Sequence, residues 1–162
     1  MNFVGEQIIE GAMLAFEQSP KAEKKTTEIF TSKQEMLYAY LFSDSFSFLK
    51  EEEQEIFLYL ALLIFKAFDE VNPDIDPITQ DSIGGFEEEN WEIWNEASGK
   101  TFTEKMDPFF LNYPQEDLLA FVEDSIIEDE EEEDSFQFTK EGKEIMIIGL
   151  KTVIDALNSA SA

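Results

Sequence analysis

Ten residues, Ile56 to Phe65, are apolar without a break, and the character continues to Phe68 with only Lys66 intervening. A helix that is apolar nearly all round has no face to give to water and has to be covered on most sides. A membrane span needs ~20 such residues, so the run is read as a core helix. Glu51, Glu52, Glu53 and Glu55 stand just before it and suit a first turn, where the positive end of the helix macrodipole favours anions. Asn72-Pro73 ends it. The fold class expected is therefore all-α: a single-domain helical bundle of about six helices around a central apolar helix at residues 52–71.

Helical periodicity places the other members. A first helix is expected over 3–17, with Ile8, Ile9, Ala12, Met13 and Phe16 on one face. Ser19-Pro20 ends it, because the residue before proline avoids the helical region, and a polar loop follows to about Thr31. Ser32 and Glu35 match a capping box that starts a second helix. Its stripe takes in Met36, Leu37, Tyr40, Leu41, Phe48 and Leu49, widened by Tyr38, Phe42 and Phe46, with a break near Asp44. Residues 72–85 hold two prolines and two glycines and read as a loop. A further helix covers 86–97.

The second half is read in the same way. Residues 100–104 and 136–138 have an extended look and are expected to pair weakly. Asp107-Pro108 resembles an N-cap followed by proline at the first helical position. After Pro114 a helix restarts, burying Leu118, Leu119, Val122, Ser125 and Ile126. The acidic run 128–134 repels itself and is expected as a mobile loop. A last helix spans 139–157. One domain covers 1–158, consistent with the chain's length, and 159–162 form a frayed tail.

The charge limits the chemistry. The chain's 162 residues include 37 acidic residues, 11 lysines and no histidine, arginine or cysteine, for a net charge of -26. At 43% apolar, with sixteen phenylalanines, it is too hydrophobic for a disordered acidic chain. Nucleic acid is disfavoured as a ligand: cations must displace the phosphate counterions, and there is no arginine to read guanine. Lys21, Lys24 and Lys25 are flanked by Glu23 and Glu28 and read as solvated. Proton transfer near neutral pH lacks its usual group, histidine. Gly84-Gly85 lacks the lysine of a phosphate loop. The expectation is a chain that is not an enzyme and carries no cofactor. Zinc, copper and haem sites draw on His or Cys. Asp74, Asp76 and Asp81 have part of a calcium loop's spacing, but Pro77 and Ile83 stand where glycine and glutamate belong, so no metal site is assigned. The first residues lack a basic stretch followed by an apolar one, and an anionic lipid surface would repel the chain. The expected location is cytoplasmic.

Glu88, Glu92 and Glu96 recur at spacings of four. Like charges so placed destabilise a helix by ~0.2–0.5 kcal/mol per pair. With Glu87 and Trp91 they form the candidate partner-binding set: Glu87, Glu88, Trp91, Glu92 and Glu96. The acidic run 128–134 is a second candidate. The function expected is that of a non-catalytic acidic binding protein that meets a basic protein, as an inhibitor, an immunity-type protein or a nucleic-acid mimic. Two alternatives stand beside it. One is a soluble helical domain whose charge serves solubility only. The other is a small-molecule or divalent-cation binder using carboxylates.

Overall fold

The structure, a computed structural model, describes residues 1–99, 101–131 (backbone only from 128) and 137–160. Among the described residues there are eight α-helices: α1 (Glu6–Gln18), α2 (Pro20–Lys33), α3 (Glu35–Tyr40), α4 (Glu51–Val71), α5 (Gln80–Glu96), α6 (Phe102–Phe110), α7 (Glu116–Glu131) and α8 (Lys140–Ser159). A single 3-10 turn, Asp44–Phe46, lies between α3 and α4. The all-α class holds, and no strand occurs among the described residues.

α4 packs against α1, α2 and α8, and α8 also packs against α5 and α7. The centre is therefore shared by two helices, and α8 is the more enclosed. From Met146 to Leu157 every residue of α8 is buried except Asp155, which is half-buried. Two glycines permit this. A Cβ at Gly149 would collide with the Phe46 ring and come within 2.8 Å of Phe57. A Cβ at Gly142 would strike the Glu53 carboxylate. At both levels neighbouring side chains occupy the space that a glycine side chain would take, Phe46 and Phe57 at Gly149 and Glu53 at Gly142.

Several elements differ from expectation, each for a local reason. Residues 20–31, expected as a polar loop, lie in α2. Pro20 occupies its first turn, where the missing N–H is not needed, so the proline that closes α1 also opens α2. Thr26 and Phe30 are its buried residues, and Phe30 stacks on Phe65 with ring centroids 4.3 Å apart. The Ser32–Glu35 capping box is not formed. α2 runs through Ser32, and Gln34 separates it from α3.

α3 ends at Tyr40, so the helical spacing stops short of the later aromatics. Phe42 and Phe48, expected on the buried stripe, are 53% and 85% exposed, and Met36 is also exposed. The loop expected over 72–85 closes at Thr79, whose hydroxyl accepts from Ser82 N at 3.2 Å and caps α5. Gly84 and Gly85 therefore lie inside a helix.

Of residues 100–104, expected as extended, Lys100 lies outside the described residues and 102–104 begin α6. Thr101 caps it by accepting from Glu104 N at 3.1 Å, and Phe102 packs on Trp94. The expected partner segment 136–138 has Phe136 outside the described residues. Asp107-Pro108 lies within α6 instead of starting a helix. The proline lies near the C-terminal end of α6, where it removes one i→i−4 hydrogen bond from the helix. The acidic run, expected as a loop over 128–134, is helical through Glu131, and 132–134 lie outside the described residues. α8 continues to Ser159, and Ala160 is buried; 161–162 lie outside the described residues.

Candidate acidic face and its support

On α5, buried Ile83, Asn90 and Trp94 face the molecule's interior. Glu88, Glu89, Glu92 and Glu96 lie on the opposite side and are exposed, as a 3.6-residue period requires. No cation pairs with Glu88, Glu92 or Glu96 among the described residues; the ion pairs seen there are Lys33–Asp69 and Lys151–Asp155. Trp91 is half-buried and packs against the core at the flank of this face.

Glu87 sits apart from the others. It is half-buried and accepts from Tyr40 Oη at 2.5 Å and from Ser45 Oγ at 3.2 Å. The five sequence candidates thus divide into an outward trio (Glu88, Glu92, Glu96), a flanking Trp91, and a Glu87 turned toward α3. Burial and the Glu87 carboxylate both push the Tyr40 phenol well above its ordinary value. Tyr40 therefore stays protonated and keeps donating.

The underside of α5 rests on a polar network. Asn90 Nδ2 donates to Thr152 Oγ1 at 3.1 Å and to Asp155 Oδ2 at 3.0 Å. Lys151 Nζ donates to Asn90 Oδ1 at 2.8 Å and to Asp155 Oδ2 at 3.0 Å. Tyr113 Oη donates to Asp155 Oδ1 at 2.5 Å. The Lys151 ammonium also lies 4.8 Å and 4.7 Å from the ring centres of Phe109 and Tyr113, within cation–π range. Tyr113 follows a tight turn in which Asn112 takes φ 55, a left-handed conformation that asparagine tolerates better than most residues. Burial first, and then the Asp155 charge, hold the Tyr113 phenol far above its usual range. Breaking one side of the buried Lys151–Asp155 pair within α8 costs several kcal/mol, ~3–5, and Asn90, bonded to Lys151, Thr152 and Asp155, ties α5 to it.

Sequence reasoning missed this network. The one available signal was Lys151 and Asp155 at i and i+4 inside an otherwise apolar helix, a spacing that permits a pair.

Glu53 lies in the first turn of α4, as expected, and is fully buried. It accepts from Lys50 N at 3.0 Å, Thr139 N at 2.9 Å and Thr139 Oγ1 at 3.0 Å. Thr139 Oγ1 in turn accepts from Gly142 N at 2.9 Å. One carboxylate thereby ties together the N-termini of α4 and α8, where the helix dipoles favour an anion.

The calcium-loop candidates do not come together. Asp81 belongs to the first turn of α5, while Asp74 and Asp76 are exposed in the preceding loop. That loop is held by Gln34, whose Nε2 donates to Asp76 O at 3.0 Å and whose Oε1 accepts from Ile78 N at 2.9 Å. Among the described residues no three acidic side chains gather closely enough to hold a metal ion. Nor is any helix there long and apolar enough to cross a membrane. Lys105, Lys140 and Lys143 line a separate cleft beside Trp94 and Phe102. Compared with known proteins, the chain matches no protein-family model, no curated protein and no solved structure.

Proposed function

We propose that this chain is a non-catalytic binding protein that presents the outer face of α5 to a basic protein. The observation that supports this reading most is the set of exposed carboxylates Glu88, Glu92 and Glu96, unpaired among the described residues, on a helix anchored from beneath by Asn90 and Trp94. Two like-charge contacts at i, i+4 cost α5 ~0.2–0.5 kcal/mol each, and a cationic partner would relieve both. A preorganised row of charge accelerates encounter with an oppositely charged surface and rejects anionic competitors. Trp91 at the flank supplies the amphipathic contact that binding surfaces favour. Inhibitors of basic enzymes and mimics of nucleic acid work by this chemistry.

Affinity capture with the full chain at about 0.05 M and at about 0.5 M salt tests the reading, since screening lengths shorten several-fold over that range. The expected result is recovery of a basic protein at low salt, its loss at high salt, and its loss from the triple variant Glu88→Gln, Glu92→Gln, Glu96→Gln. Recovery that is indifferent to salt and to the triple variant would point instead to a charge that serves solubility alone.

A further inference from the structure

A cleft of about 290 Å³ opens between α3 and α5, beside the acidic face. The two segments run parallel. Gln34, just before α3, bonds to Ile78, just before α5, and Tyr40 at the end of α3 reaches Glu87 a little over two helical turns into α5. The walls are mostly apolar: Met36 and Ala39 on one side, Ile83 and Gly84 on the other. Gln80, Tyr40, Ser43, Ser45 and Glu87 supply the polar lining, and Glu87 meets Tyr40 and Ser45 directly.

Glu87 has unfilled hydrogen-bonding capacity in this cleft. Each Glu87 oxygen accepts a single hydrogen bond, whereas an ionised carboxylate offers about four acceptor sites. An ammonium carries three donors and a guanidinium five, enough to fill them. The apolar walls suit the methylene stem that lysine and arginine lay along hydrophobic surface while their charge reaches a polar site. Gly84 lines the cleft, and a Cβ there would meet nothing within 4 Å.

We propose that this cleft is a socket for one cationic side chain, lysine or arginine, with Glu87 receiving the charged head and Met36, Ala39 and Ile83 its stem. The socket rests on the reading of α5 as a docking face, and it adds a defined anchor to a diffuse electrostatic attraction.

Amide chemical shifts of the full chain, titrated with Nα-acetyl-lysine methylamide, test it. Saturable shifts are expected at Ser43, Ser45, Gly84 and Glu87. The norleucine analogue, with the same stem and no charge, should shift them at least about tenfold less at equal concentration, as loss of a charge-assisted contact implies. Gly84→Leu places a good helix former in open space, fills the cleft, leaves Glu88, Glu92 and Glu96 in place, and should abolish the response. Shifts scattered over the acidic surface, or undiminished by Gly84→Leu, would overturn the socket. A captured basic partner that needs Glu88, Glu92 and Glu96 yet binds the Gly84→Leu variant undiminished would also overturn it while leaving the docking face standing. A focused, charge-dependent shift with no partner recovered would support the socket and remove the docking face.

Discussion

Glu53 is held in the core by two backbone amides and a threonine hydroxyl. Gly142 leaves just enough room for that carboxylate. Gly142→Ala forces a methyl group onto it and is expected to lower stability by ~1–3 kcal/mol, the usual cost of overpacking. The shift in the urea unfolding midpoint measures this. The buried tyrosines give a second residue-scale test. Tyr40 and Tyr113 both have folded pKa values raised from 10.0, so above pH 10 the unfolded chain releases protons that the folded chain keeps. Their contribution is complete below pH 10 and falls as pH rises beyond it. In an ultraviolet titration, these two phenols should ionise only together with alkaline unfolding. Tyr113→Phe should flatten the fall in stability above pH 10. Free ionisation of all four tyrosines while the fold persists would contradict their placement.

At the scale of elements, α5 carries avoidable costs. Gly85 lies in its exposed part, and a Cβ there meets nothing. Gly85→Ala is therefore expected to stabilise the protein by ~0.8–1.0 kcal/mol, read from denaturant unfolding. What the sequence made legible follows from packing. The helix at 51–71 and the one at 140–159 announce themselves because burial on most sides leaves long apolar patterns. α2 was hidden because a helix on the outside buries little beyond Thr26 and Phe30, and because Ser19-Pro20 signals a stop and a start equally well. Gly84-Gly85 concealed the first turns of α5, whose threonine cap and buried Ile83 outweigh two glycines. The outward glutamates could be read from a spacing of four. Asn90, Tyr113, Lys151 and Asp155 could not be joined, since the network assembles side chains from α5, α8 and the turn after α6, and only tertiary packing brings these together.

Over the whole molecule, attraction and repulsion are set apart in space. The interior is one apolar cluster that runs from Val4 to Ala160, and the net charge of -26 lies mainly outside it. A body of this length has a radius of gyration of ~15 Å, while the screening length falls from ~30 Å at 0.01 M salt to ~8 Å at 0.15 M. Self-repulsion thus acts across the entire protein in dilute buffer and only locally at physiological salt. The melting temperature should rise by several degrees between 0.01 M and 0.15 M sodium chloride, as followed by circular dichroism. An unchanged melting temperature would show the charges to be balanced within the fold. The rise reflects net charge alone, so it says nothing about whether the acids of α5 are special.

That question calls for charge-matched variants: one with Glu88, Glu92 and Glu96 changed to glutamine, the other with exposed Glu10, Glu17 and Glu28 on α1 and α2 changed likewise. Both lose three negative charges, so any effect of net charge is shared. The measurement is the association rate and affinity of the captured basic protein for each, at a single salt concentration. The α5 variant is expected to bind at least about tenfold more weakly, about 1.4 kcal/mol, with the α1–α2 variant close to the parent. Equal losses in the two would mean that charge attracts from every side and that α5 holds no docking face.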